Sequence, residues 1–173
     1  MTWKKEFLKN FRLYAVTDIR PEDSSAELLE KIEAAYRGGA DIVQLRAKKL
    51  TDLQILSLGQ KIRRIADKYR KLFFVNDRAD LAIACKADGV HVGQDDLPVS
   101  EIRKINSELL IGKSTHNIEQ AVAAEKEQPD YLGVGPVFAT PTKPDYQPAG
   151  LEFVKQAAEK FSLPFVAIGG IDL

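Results

Sequence analysis

Two kinds of hydrophobic spacing alternate along this chain. Short apolar runs rich in β-branched residues occupy 11–17 (FRLYAVT), 41–46 (DIVQLR), 72–76 (LFFVN), 88–92 (DGVHV), 109–114 (LLIGKS), 131–135 (YLGVG) and 163–168 (LPFVAI). Between them apolar residues recur at steps of three and four: Leu28, Ile32 and Ala35 in 26–38; Ile55, Leu58, Ile62, Ile65 and Tyr69 in 52–70; Val154, Ala157, Ala158 and Phe161 in 150–161. The first spacing predicts strands and the second predicts helices. Ser24 with Glu27, Thr51 with Gln54 and Asn117 with Gln120 have the capping-box spacing that opens a helix, and Gly38-Gly39 marks a stop. The pattern predicts seven strands separated by six helices.

Continuous apolar runs suit strands buried on both faces, as parallel strands are. A parallel sheet with helical crossovers is either doubly wound or a barrel. The turn after the first strand reads Thr17-Asp18-Ile19-Arg20-Pro21 and carries no GxGxxG, so a dinucleotide fold lacks its phosphate loop. The expectation is an α/β fold, a (β/α)8 TIM barrel truncated after strand seven, forming a single domain over residues 1–173. Its first and last strands would have exposed edges, which favour association into a homo-oligomer.

In such folds the C-terminal ends of the strands carry the active site. Residues capable of chemistry concentrate there: Gln44, Arg46 and Lys48 after strand two; Asn76, Asp77 and Arg78 after strand three; Gln94, Asp95 and Asp96 after strand four. Ser114, Thr115 and His116 follow strand five, Thr140, Thr142 and Lys143 follow strand six, and Gly169-Gly170 follows strand seven. Asp77 and Asp96 stand at neighbouring strand ends, and two carboxylates about 4 Å apart repel by roughly 4 kcal/mol at an effective dielectric near 20. Such a pair persists if it shares a proton or holds a cation. Hard oxygen donors suit Mg²⁺, and the cations Arg46, Lys48, Arg78 and Lys143 suit a phosphate-bearing substrate. The plainer alternative makes Asp77-Arg78 and Asp95-Asp96 helix N-caps and surface charges. The loop 136–149, with four prolines, reads as a lid or binding loop, and the glycine pair could let a phosphate approach the backbone.

Charge narrows the partners. Lys plus Arg and Asp plus Glu both number 25, so no basic excess points to nucleic acid or to an anionic membrane. The run Lys68-Tyr69-Arg70-Lys71 closes a predicted helix, where cations suit the C-terminal dipole. Cys85 is the one cysteine and is expected to be a buried, inert thiol. His91 reads as a core histidine, and His91 and His116 lack metal-ligand spacing. With no apolar leader core and no stretch of membrane-spanning length, a cytoplasmic setting is the default expectation.

The strings QLRAK (44–48), FVNDRADLA (74–82), ADGVHVGQDDLP (87–98), GKSTHN (112–117), DYLGVGPVFATPTK (130–143) and AIGGI (167–171) together resemble the thiamine-phosphate synthase family. The resemblance implies a TIM barrel that couples 4-amino-2-methyl-5-hydroxymethylpyrimidine diphosphate with thiazole phosphate, giving thiamine phosphate and pyrophosphate with Mg²⁺. It implies that Gln44, Arg46, Lys48 and Asn76 reach the pyrimidine diphosphate, that Tyr14 lies beside the pyrimidine, and that Asp77 and Asp96 are the Mg²⁺ ligands. Ser114 would contact the pyrimidine and diphosphate, Lys143 the diphosphate, and Thr140, Thr142 and Gly170 the thiazole phosphate. Arg46, Lys48, Ser114 and Lys143 form the implied catalytic set. The implied chemistry is dissociative: pyrophosphate leaves and the thiazole nitrogen captures a stabilised pyrimidine cation. Two rival readings are a thiazole tautomerase relative of the same fold and a non-catalytic binding or subunit module. The full diphosphate set argues against the tautomerase.

Overall fold

The computed structural model describes residues 3–140 and 147–171. Its strands are β1 (Tyr14–Val16), β2 (Ile42–Leu45), β3 (Leu72–Asn76), β4 (Gly89–Val92), β5 (Leu110–Thr115), β6 (Tyr131–Val134) and β7 (Phe165–Ala167). Its helices are α1 (Trp3–Leu8), α2 (Ser25–Arg37), α3 (Asp52–Tyr69), α4 (Ala79–Ala84), α5 (Val99–Ile105), α6 (Ile118–Lys126) and α7 (Gly150–Lys160). All seven expected strands and all six intervening helices are present. The addition is α1, too short for its periodicity to stand out, which buries Leu8. The strands lie in chain order from β1 to β7. A doubly wound sheet reverses its order at a switch point, whereas chain order throughout is that of a (β/α) barrel. No helix among the described residues is long and apolar enough to cross a membrane.

The chain packs as two compact units, residues 1–91 with 108–110 and residues 92–107 with 111–173. In the first, β1 to β4 pair in parallel, with Tyr14 opposite Ile42, Gln44 opposite Phe74, and Asn76 opposite His91. The apolar stripes of α2 and α3 bury Ile32, Tyr36, Leu58, Ile62 and Ala66. In the second, β5, β6 and β7 pair in parallel. Ala121, Ala124, Leu132, Val134, Phe153, Ala157 and Phe161 form its core cluster. Each unit sets a large ring over a glycine. A Cβ on Gly89 would lie 2.3 Å from the Phe74 ring, and one on Gly112 would lie 2.1 Å from the Tyr131 ring.

One arrangement recurs at the N-terminal ends of the strands. An aspartate stands immediately before each even strand and bonds the backbone that starts the preceding odd strand. Asp41 accepts from Arg12 N at 2.8 Å and Leu13 N at 3.3 Å and pairs with Lys71 at 2.5 Å. Asp88 accepts from Phe73 N at 2.8 Å and pairs with Arg63 at 2.5 Å and Lys4 at 2.7 Å. Asp130 accepts from Ile111 N at 2.8 Å and pairs with Arg103 at 2.5 Å. A carboxylate that answers a strand's first free N–H and is neutralised by a cation meets the cost of its own burial.

Local details refine the sequence reading. Thr51 and Gln54 form a complete capping box. Ser24 and Asn117 accept from the backbone of Glu27 and Gln120, but the Gln120 side chain accepts from His116 N. The basic run 68–71 does more than face a helix dipole. Lys68 pairs with Glu33 at 2.6 Å, Lys71 pairs with Asp41, and Arg70 takes the left-handed C-cap at φ 54°. Cys85 follows α4 as its C-cap and is buried, and burial pushes its thiol up to about 11. That is the inert thiol expected.

Candidate active site

In the first unit, side chains of β1 and β2 and of the turns that follow them meet. Gln44 is buried in β2 and donates its side-chain amide to the Tyr14 hydroxyl at 2.7 Å. Arg46 follows just beyond the last residue of β2. Its backbone is fixed three ways: Arg46 N donates to the Thr17 hydroxyl at 2.9 Å, that hydroxyl lies 3.2 Å from Arg46 O, and Ile19 N donates to Arg46 O at 3.2 Å. Its guanidinium Nη1 donates to the Asp18 carboxylate. Sequence reading passed over Thr17 and Asp18, naming them only as a turn without a phosphate loop. The strand-end rule used for the other strands would have included them.

The end of β3 supplies Asn76 and Asp77, both half-buried. Asp77 has φ 62°, left-handed backbone that Asp tolerates better than most residues, and its N–H donates to His91 O at 2.8 Å. The exposed Lys48 ammonium lies 3.3 Å from the Asp77 carboxylate, so two of the expected site residues meet directly. Arg78 departs from expectation. Its guanidinium is clamped by both oxygens of Asp52 at 3.0 Å and by Asp80 at 2.9 and 2.7 Å. Donating to Asp80 and to Asp52 raises the Arg78 pKa, and accepting from Arg78 lowers that of Asp80. Arg78 therefore ties α3 to α4 and is not a spare cation for a substrate.

In the second unit, the turn after β4 folds so that Gly93 N donates to the Asp96 carboxylate at 2.6 Å. Gln94 donates its side-chain amide to Ser114 O at 2.6 Å, joining that turn to the end of β5. His116 Nδ1 lies 2.5 Å from Gly135 O, which ties the same strand end to the end of β6. After β6 the chain leaves on an excursion whose base is pinned. Ala149 N donates to Pro136 O at 2.7 Å and Gly150 N to Val137 O at 3.1 Å. Thr140 is half-buried, whereas Thr142 and Lys143 lie outside the described residues.

The glycine pair after β7 also packs against the chain itself. Gly169 and Gly170 have φ of 104° and 64°, and a Cβ on Gly170 would lie 2.7 Å from Ala139 O. Val137 N and Phe138 N donate to Ile168 O and Gly169 O, both at 2.9 Å. The close approach that requires glycine here is made by the 136–139 segment. Gly170 remains exposed at the strand end.

The N-cap alternative for the acids fails. The N-cap of α4 is Arg78 and that of α5 is Pro98, and neither helix has a side-chain cap bond. Asp77 and Asp96 are each half-exposed oxygen donors just beyond a strand. Among the described residues no group of three or more His, Cys, Asp or Glu side chains is arranged to hold a metal. Each carboxylate is by itself a hard oxygen donor of the kind that suits Mg²⁺.

Residues 13–173 match the family model described as thiamine monophosphate synthase. The chain is 45% identical over 171 residues to the thiamine-phosphate synthase of Synechococcus sp. (strain CC9311), covering 98% of this chain and 48% of that protein. It is 45% identical over 170 residues to the thiamine-phosphate synthase of Halalkalibacterium halodurans, covering 96% of this chain and 79% of that protein. The chain thus spans about half the length of the Synechococcus relative. Among solved structures, thiamine phosphate pyrophosphorylase from Pyrococcus furiosus superposes with a TM-score of 0.86 at 38% identity, over 96% of this chain and 78% of that one. A fold shared at this level, with near-complete coverage by the family model, places the chain in the thiamine monophosphate synthase family.

Proposed function

We propose that this chain is the catalytic part of a thiamine-phosphate synthase, joining 4-amino-2-methyl-5-hydroxymethylpyrimidine diphosphate to thiazole phosphate with release of pyrophosphate. The observation that carries this reading is the pair of contacts Gln44–Tyr14, between β2 and β1, and Lys48–Asp77, beyond the ends of β2 and β3, on a chain of this family. Asp77 and Asp96 are proposed to hold Mg²⁺, which when bound would neutralise charge on the diphosphate leaving group. In this reading Arg46 and Lys48 bind the diphosphate oxygens, and Ser114, Asn76 and Lys143 add to the same charge-stabilising set. Tyr14, oriented by Gln44, packs beside the pyrimidine, and Thr140, Thr142 and Gly170 receive the thiazole phosphate.

The chemistry follows from what the residues hold. The one thiol, Cys85, is buried and held protonated, so it does not supply a nucleophile. The protein's part is to fix the two substrates and to stabilise charge growing on the departing pyrophosphate. The pyrimidine carbon loses its bond to the diphosphate oxygen, the electron pair leaves with pyrophosphate, and the thiazole nitrogen supplies the new pair. The experiment is a coupling assay with Mg²⁺ and both substrates, read as pyrophosphate release and thiamine phosphate formation. Release should stop when either substrate is left out. Proton exchange on thiazole phosphate without coupling would mark a tautomerase, and a folded chain with neither activity would mark a binding module.

A further inference from the structure

The end of β1 is organised around one residue of β2, and that organisation has a consequence for binding. Asp18 accepts from Nη1 of Arg46, while Thr17 and Ile19, its two chain neighbours, hold the Arg46 backbone. Three consecutive residues therefore grip a single arginine. The Arg46 side chain is only 15% exposed, and the Asp18 side chain is 57% exposed. Asp18 holds one edge of the guanidinium. Among the described residues Nε and Nη2 of Arg46 have no hydrogen-bond partner, and neither is a sealed, unsatisfied donor. A guanidinium fixed at Nη1 presents Nε and Nη2 as a planar two-pronged fork, the geometry that matches two oxygens of one phosphate.

We propose that Asp18 is a positioning residue that orients Arg46 for bidentate capture of a diphosphate oxygen pair. The role rests on the reading of Arg46 as a diphosphate-binding residue. Asp18 does not touch substrate. It acts by removing rotamers that Arg46 would otherwise lose on binding. Orientation needs an oxygen acceptor at that position, while charge is secondary, and this separates Asp18→Asn from Asp18→Ala.

The test uses inorganic pyrophosphate with Mg²⁺ as the probe, titrated by calorimetry against the full chain, its variants and their thermal melts. Asp18→Ala is expected to raise the pyrophosphate Kd about fivefold, the upper range for an exposed pair, with an unchanged melt. In the coupling reaction the KM for the pyrimidine diphosphate should rise similarly, with kcat and the KM for thiazole phosphate unmoved. Asp18→Asn, which keeps an acceptor, should restore most of the affinity. Asp18→Ala on top of Arg46→Ala should cost nothing further. The proposal is overturned if Asp18→Ala binds pyrophosphate as tightly as the parent or tighter, or if its effect adds to that of Arg46→Ala. If Arg46→Ala itself leaves pyrophosphate binding unchanged, the assignment of Arg46 to the diphosphate falls and the positioning role falls with it. Weakening by Arg46→Ala alone leaves that assignment standing and rejects only the role of Asp18.

Discussion

Aspartates before strands and aspartates after them live in different surroundings. Asp41, Asp88 and Asp130 precede β2, β4 and β6, with side chains 16%, 4% and 8% exposed. Each is bonded to backbone N–H of the neighbouring strand and paired with Lys or Arg. Asp18 and Asp77 follow β1 and β3, are 57% and 25% exposed, and pair with Arg46 and Lys48 respectively. Asp96 follows β4 and accepts from its own turn. A strand that starts must satisfy its first N–H groups, so acids at that end are consumed by structure. A strand that ends presents carbonyls, which carboxylates cannot serve. An acid there is not drawn in to satisfy the start of a strand. The same residue type thus reads as scaffold at one end of a strand and as chemistry at the other.

The sharpest way to break this contrast is to remove one acid from each end. Asp88→Ala leaves the Arg63 guanidinium, 14% exposed, without its buried partner and should destabilise the fold by about 3–5 kcal/mol. A urea midpoint shift with an unchanged m-value would report it, and a shift below about 1 kcal/mol would erase the scaffold role. Asp77→Asn and Asp96→Asn should instead leave the midpoint within about 1 kcal/mol while lowering coupling about 100-fold. Coupling rates across a Mg²⁺ titration would show the loss, and unchanged Mg²⁺ dependence in both variants would count against the ion.

Acid should separate the two ends more gently. Burial would raise the Asp41 pKa, but the Lys71 hydrogen bond and the Arg12 and Leu13 amides outweigh it, so the carboxyl is held below its ordinary value. A folded pKa below the unfolded one, about 3.9, contributes stability present above that pH. That stability is lost as pH falls through the folded value. Asp41→Asn should therefore flatten the acid limb of a stability profile below about pH 5, and parallel profiles would exclude the linkage. The smallest effect belongs to the surface clamp. Arg78 is 45% exposed, and Arg78→Ala should cost under about 1 kcal/mol and leave pyrophosphate binding unchanged. Weakened binding in that variant would return Arg78 to the site.

The sequence by itself determined the order and kind of the elements, because hydrophobic period and capping chemistry are local. Thr51 with Gln54 opens α3, and 52–70 carries its stripe, with no help from distant residues. It also determined which strand ends carry polar residues, since a strand's end is visible where its apolar run stops. What the tertiary structure decided is which polar residue meets which. Arg78 looks like its fellow cations along the chain until Asp52, 26 residues away, closes on it. That Gly170 packs against Ala139, with Ala139 O 2.7 Å from where a Cβ would stand, is likewise set only by the fold. Asp18 reads as a turn residue until Arg46 is folded against it. Period and caps act over about one turn, whereas charges and close packing act through space between residues the chain places far apart.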